Sequence, residues 1–164
     1  MIDAETRALA ERVLAACRAR KWTVATAESC TGGLVAGALT EIAGSSDVLD
    51  RGFVTYSNAA KIAMLGVPEE TLNMFGAVSR QTAEAMAQGA LERSGVDLTV
   101  AITGVAGPGG GSVEKPVGLV HLAAVVRGSP ARIERKMLYG DIGRSEVRRL
   151  SVIEALSMLL ELAG

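Results

Sequence analysis

The distribution of apolar residues along this chain predicts an α/β fold: a three-layer α/β/α sandwich around a mixed, mostly parallel sheet of about five strands. Short uninterrupted apolar runs, the mark of strands covered on both faces, alternate with longer stretches whose apolar residues recur at helical spacing. Such alternation needs crossover connections and therefore parallel neighbours. Two further runs, Val117 to Val126 and Ala131 to Leu138, are joined by Gly128-Ser129-Pro130, which reads as a hairpin and makes the sheet mixed.

Each element follows in order. Thr6 to Arg20 reads as a helix with Leu9, Val13, Ala16 and Cys17 on one face. Trp22 to Ala27 reads as a short buried strand that runs into Glu28-Ser29-Cys30-Thr31-Gly32-Gly33, after which helix resumes from Leu34 to Thr40. A second strand spans Val48 to Tyr56, with a break expected at Asp50-Arg51-Gly52. Ser57 or Asn58 caps a short helix, Ala59 to Leu65, which Gly66 and Pro68 terminate. Ser79 opens a longer helix whose apolar face carries Ala83, Met86, Ala87, Ala90 and Leu91, with Gly95 as its stop signal. Leu98 to Thr103 is a buried strand leading into a glycine run, and the chain closes with a helix from Arg144 to Leu162.

Composition narrows the function classes. The 164 residues fit one domain over residues 1–164, and 49% hydrophobic against 21% charged residues excludes a disordered chain. Aromatics are only 3%, so the core is built from Ala, Val, Leu, Ile and Met. A net charge of −1 without a basic stripe argues against nucleic acid as a partner. Arg144, Arg148 and Arg149, with Arg135 and Lys136, read as a solvated helix face or as a phosphate contact. Cys17, Cys30 and one histidine make neither a disulfide scaffold nor a structural zinc site, so no metal or cofactor is expected. The mixed-charge start does not read as a signal peptide, no run is long enough to span a bilayer, and the expected compartment is the cytoplasm. An alanine-rich domain of this size can also self-associate.

Three segments can carry chemistry. Ser29 stands where a strand gives way to a helix, so its hydroxyl can sit exposed at the sheet edge beside backbone amides that favour negative charge. Gly32 and Gly33 would let a substrate approach the backbone closely. Ser29 or Thr31 can equally serve only as a helix cap. The segment is not the Gly-x-Ser-x-Gly elbow, because Ala27 stands at the first glycine position. In Tyr56-Ser57-Asn58-Ala59-Ala60-Lys61, a lysine on the first turns of a helix can point back over the sheet edge. Burial there would lower its pKa from about 10.4 towards ~7–8 and make it a base; left at the surface it is simply a solvated lysine. Tyr56 can hydrogen-bond either partner. The third segment, Thr103-Gly104-Val105-Ala106-Gly107-Pro108-Gly109-Gly110-Gly111-Ser112, presents successive amides suited to phosphate or carboxylate, or is a flexible loop. It lacks the Lys and Ser/Thr of a P-loop and does not lead into a helix as a dinucleotide fingerprint does. His121 lies mid-strand and reads as structural, so a nucleophilic serine must find another base.

Together, Ala25 to Gly33, Tyr56 to Lys61 with Leu65-Gly66-Val67, and Gly104 to Gly110 with Lys115-Pro116-Val117-Gly118 resemble the CinA carboxy-terminal-domain family, the nicotinamide mononucleotide deamidases. Gly143 to Arg148 is a weaker match, and the resemblance covers nearly the whole chain. It implies hydrolysis of the carboxamide of nicotinamide mononucleotide to nicotinic acid mononucleotide and ammonia, in pyridine nucleotide recycling. It further implies Ser29 as nucleophile and Lys61 as base, with Tyr56 assisting. Amides after Thr31 are then the expected oxyanion donors. Thr31, Gly32, Gly33, Thr103, Gly104, Gly107, Gly109, Gly110 and Arg144 are the expected substrate contacts, the glycine loop and Arg144 facing the phosphate. Two other classes stay open: a nucleotide-binding regulator without turnover, and an interaction module linked to competence.

Overall fold

The computed structural model describes residues 2–164. Its elements are α1 (Ala4–Arg20), β1 (Val24–Glu28), α2 (Leu34–Thr40), a 3-10 turn (Ser45–Asp47), β2 (Leu49–Val54), α3 (Asn58–Leu65), α4 (Glu69–Phe75), α5 (Arg80–Ser94), β3 (Leu98–Gly104), β4 (Leu119–Val126), β5 (Arg132–Leu138) and α6 (Arg144–Ala163). The five strands form one sheet in the order β2-β1-β3-β4-β5. β1 pairs parallel with β2 and β3, whereas β4 is antiparallel to both β3 and β5. Four of the five strands thus point the same way, and the sheet is mixed and mostly parallel as the sequence predicts.

Strand alternation divides the core into two layers. Val24 on β1, Leu98, Val100 and Ile102 on β3, and Val120, Leu122 and Ala124 on β4 pack under α1, α2 and α6. Ala27, Ala101 and Ala123 face the other way, against Leu65 of α3, Leu72 of α4 and Ala83, Met86, Ala87 and Ala90 of α5. Alanine in three successive strands brings this second layer close to the sheet. Within this layer α5 also meets α3 closely at Gly89, where a Cβ would lie 1.9 Å from the Leu65 carbonyl oxygen. Only glycine lets the end of α3 cross α5 there, and α3 carries Lys61.

The boundaries differ from the sequence expectation in instructive ways. α1 starts at Ala4 rather than Thr6, because Asp3 accepts the Thr6 amide at 2.7 Å and closes the first turn. β2 runs unbroken through residues 50–52. Its irregularity is a register shift between Val24 and Ala25 of its partner, which skips Asp50, while Gly52 allows close packing on Thr26 and Ala36. Ser57 rather than Asn58 is the cap of α3, its Oγ accepting the Ala60 amide at 3.0 Å. α4 was not expected: Pro68 starts it and Glu69 and Glu70 occupy its first turn, a favourable place for acidic side chains. β4 begins two residues after Val117, once Gly118 has turned at φ +90° against the backbone of Gly140.

Candidate active site

Ser29 follows β1 directly, and strand alternation decides where its side chain goes. Ala25 and Ala27 face the α5 layer, so Ser29 continues on that face while Thr26 and Glu28 point to the opposite one. The Ser29 amide still donates to the Ile102 carbonyl at 2.9 Å, which extends the parallel ladder one residue beyond β1. Lys61 reaches the same place from the first turn of α3. Its Nζ is 3.0 Å from Ser29 Oγ and donates to the Thr55 carbonyl at 2.8 Å. Thr55 is fixed in turn by its amide, which donates to the Glu28 carbonyl at 2.9 Å.

Lys61 is 1% exposed. Burial penalises the ammonium and holds its pKa below the ordinary 10.5, against a smaller opposing influence of Cys30. No carboxylate contacts its Nζ among the described residues, so nothing offsets the desolvation with an ion pair. A lysine so placed is a base when neutral: its lone pair then accepts the Ser29 hydroxyl proton while one N–H stays on Thr55. Cys30, the adjacent thiol, is pushed up to about 11 by burial and stays protonated at neutral pH. It therefore does not compete as a nucleophile.

Glu28 is the functional side chain that the sequence reading passed over. It is fully buried, and its carboxylate accepts the α2 amides of Val35 at 2.9 Å and Ala36 at 3.1 Å, with the Thr26 hydroxyl at 3.2 Å. This carboxylate caps α2 from seven residues upstream and clamps the Ser29 turn between strand and helix. The clamp engages part of the backbone expected to supply oxyanion donors. Amides of Gly32, Leu34, Val35 and Ala36 are all committed to protein acceptors, whereas those of Cys30, Thr31 and Gly33 have none among the described residues. From the other side, Arg148 donates to the carbonyls of Cys30 at 3.1 Å and Thr31 at 3.3 Å.

The cleft above this pair has a volume of about 280 Å³. Ser29, Tyr56, Lys61, Thr103, Gly104, Gly107, Gly109, Gly110 and Arg144 all line it. Thr31, Gly32 and Gly33 do not. Thr31 is fully buried and its hydroxyl has no partner among the described residues, while Gly32 and Gly33 use positive φ to turn the chain into α2. Thr103 Oγ1 donates to the Ala77 carbonyl at 2.7 Å, so the segment before α5 is pinned against the cleft. Arg144 donates to the Gly107 carbonyl at 2.9 Å and to Tyr56 Oη at 2.8 Å, bridging the glycine loop to the rim. Both of these donors are thereby held by the protein itself. The other basic residues near α6 are also engaged: Arg149 with Glu146, Asp3 and Glu5, and Arg135 with Glu154 and Glu161. Among the described residues no cluster of three or more His, Cys, Asp or Glu side chains is placed to hold a metal ion, and no helix is long and apolar enough to cross a membrane.

Comparison with known proteins places the fold and these motifs together. The model of the CinA C-terminal domain matches residues 6–163. Nicotinamide-nucleotide amidohydrolase PncC of Escherichia coli is 50% identical over 159 residues, covering 97% of this chain and 95% of its own. A CinA-like protein of Akkermansia muciniphila is 53% identical over 137 residues, 84% of this chain. The chain spans about a third of the length of that relative and of a similar one from Symbiobacterium thermophilum. Among solved structures, the competence/damage inducible protein CihA of Agrobacterium tumefaciens superposes with a TM-score of 0.97 at 58% identity, covering 100% of this chain and 99% of its own. The CinA superfamily protein of Klebsiella pneumoniae reaches 0.90 at 38% identity, covering 96% and 97%. A family match over nearly all of the domain, with relatives at about half identity along its length, leaves one conclusion: the chain belongs to the CinA C-terminal domain family.

Proposed function

We propose that the chain hydrolyses the carboxamide of nicotinamide mononucleotide, giving nicotinic acid mononucleotide and ammonia, with Ser29 as nucleophile and Lys61 as general base. The observation that carries the mechanism is the 3.0 Å contact between a buried, unpaired Lys61 Nζ and Ser29 Oγ on the floor of an open cleft. The substrate rests on the near full-length similarity to nicotinamide-nucleotide amidohydrolases. An intracellular nucleotide substrate makes this a cytoplasmic enzyme of pyridine nucleotide recycling.

The steps follow from the geometry. Neutral Lys61 takes the proton of Ser29 as Oγ bonds to the carboxamide carbon. The oxyanion is received by the free amide of Cys30, which lines the cleft beside Ser29. Lys61 returns its proton to the departing nitrogen, the C–N bond breaks, and ammonia leaves. Water, deprotonated by Lys61, then hydrolyses the Ser29 ester and releases the acid. Tyr56, oriented by Arg144, stands at the rim where it can hydrogen-bond the amide group, and the glycine loop supplies the wall against the ribose.

The test is incubation of the purified protein with nicotinamide mononucleotide while ammonia and the acid product are quantified. One ammonia per acid formed is expected. Saturable nucleotide binding without either product would favour a regulator instead.

A further inference from the structure

The strand-to-helix turn that carries Ser29 is held from behind by a cation. The Gly32 amide donates to the Ser29 carbonyl at 3.0 Å, closing a β-turn with Cys30 and Thr31 at its centre. Peptide units are planar and trans, so each carbonyl points away from the N–H of the same unit. With the Ser29 carbonyl directed into the turn, the Cys30 amide of that unit points outward, and Cys30 lines the cleft beside Ser29. The aim of this oxyanion donor therefore depends on the Gly32 N–H staying on Ser29. That N–H belongs to the Thr31–Gly32 unit, whose carbonyl accepts from Arg148 Nη2 at 3.3 Å. The middle unit is held likewise: the Cys30 carbonyl accepts from Arg148 Nε at 3.1 Å and from no other donor among the described residues.

Arg148 stands next to Arg149 on α6, and the two differ in their partners. Arg149 is paired with Asp3, Glu5 and Glu146, whereas Arg148 contacts no carboxylate among the described residues. Its charge is directed at two backbone carbonyls of the nucleophile turn. That charge is felt at the site. Burial, and to a smaller degree Glu28, raise the Cys30 pKa, while the charges of Arg148 and Lys61 pull it down. A carboxamide oxygen that becomes an oxyanion beside the Cys30 amide meets the same positive field. Arg148 does not line the cleft. It lines a separate cavity of about 290 Å³ between the starts of α1, α2 and α6, with Asp3, Thr6 and Leu34.

We propose that Arg148 is a positioning residue for catalysis: its guanidinium locks the Ser29–Gly32 turn from the side opposite the cleft, aiming the Cys30 amide at the carboxamide oxygen, and its unpaired charge favours the oxyanion that forms there. The assignment rests on the activity proposed above. Because Arg148 acts through the turn and touches no substrate, its removal is felt in the acyl-transfer step rather than in binding.

The test compares the parent with Arg148→Ala and Arg148→Lys at matched folding. Arg148→Ala should lower kcat for nicotinamide mononucleotide about tenfold or more, with KM within a few-fold. The pH midpoint of kcat/KM should not move, since Lys61 remains the base. Truncation enlarges the cavity of about 290 Å³ by the volume of a guanidinium. Methylguanidinium should therefore restore part of the lost kcat, saturably, and leave the parent unchanged. Arg148→Lys keeps the charge but cannot hold both carbonyls, so its kcat should fall between the two. Parental kcat in Arg148→Ala, a loss confined to KM, a shifted pH midpoint, or a loss that methylguanidinium does not restore would each overturn the assignment. Should Arg148→Ala not fold, Arg148→Lys decides: a several-fold lower kcat at unchanged KM supports the role, and parental kcat overturns it. Capture of Ser29 by a fluorophosphonate reads the same turn without the nucleotide: Oγ bonds to phosphorus, fluoride leaves, and Lys61 takes the proton. Capture should slow in Arg148→Ala and recover with methylguanidinium. If the parent releases no ammonia yet shows this pattern, the proposed substrate fails and the role of Arg148 stands. If the parent releases ammonia and Arg148→Ala matches it in both reactions, the activity stands and the role of Arg148 fails.

Discussion

Ser29 and Lys61 are 32 residues apart in the chain, yet Lys61 Nζ lies 3.0 Å from the Ser29 hydroxyl oxygen with no carboxylate among the described residues to balance it. That lack of a counter-ion is what separates a base from a structural ion pair. A buried lysine next to an Asp or Glu would stay charged, whereas here burial outweighs the smaller opposing influence of Cys30 and favours the neutral amine.

The pH dependence of activity follows. With Lys61 as base, kcat/KM rises with pH through a group titrating below the ordinary lysine value, and levels off once the amine is neutral. Lys61→Arg keeps the charge and cannot deprotonate, so it should lose on the order of a hundred-fold or more in rate. A pH–rate profile of both proteins checks this.

Stability should carry the same signature. A folded pKa below the unfolded 10.5 means that the unfolded chain binds more protons between the two values. Lys61 therefore favours the native state fully above the unfolded pKa, and that contribution is lost as pH falls through the folded one. Thermal unfolding of the parent and of Lys61→Met, followed across that window, should show the parent gaining on the variant as pH rises. Parallel curves would mean that Lys61 is not desolvated.

Glu28 is predicted to matter through α2. Replacing it by Gln keeps one acceptor but turns an N–H group towards an amide of the helix, leaving a buried donor without a partner. The loss should be about 1–3 kcal/mol in denaturant unfolding, with activity reduced because the Ser29 turn loosens. A fully stable Glu28→Gln protein would show that the α2 amides find another acceptor.

The site of closest helix contact gives a prediction remote from the cleft. Gly89→Ala places a methyl group within 1.9 Å of the Leu65 carbonyl, so α3 must move away from α5. Overpacking of this kind costs about 1–3 kcal/mol or more, and the shift of α3 should draw Lys61 off Ser29. Both a lower melting temperature and a lower kcat are expected, although Gly89 touches nothing in the cleft.

How much of this was legible in the sequence depended on how local the signal is. The strand-to-helix junction at Ser29 and the capped helix carrying Lys61 are written in runs of six to eight residues, and the fold brings the two together. The alternating pattern likewise foretells the strands and their layers. Glu28 was invisible in its role because its partners, Val35 and Ala36, meet it only after the chain reverses over the strand. Arg148 read as part of a solvated helix face or a phosphate contact because its acceptors, Cys30 and Thr31, lie more than a hundred positions away. The α4 helix escaped because seven residues behind Pro68 carry too little periodicity to be told from a loop.

The most direct test of the account is ammonia release from nicotinamide mononucleotide by Ser29→Ala, measured beside the parent at matched folding. Removing the hydroxyl leaves the Lys61–Thr55 contact and the cleft in place but abolishes the covalent route. The account predicts a loss of about a thousand-fold or more in kcat with nucleotide binding nearly intact. Activity within a few-fold of the parent would contradict it, and would leave Ser29 as no more than the residue that ends β1.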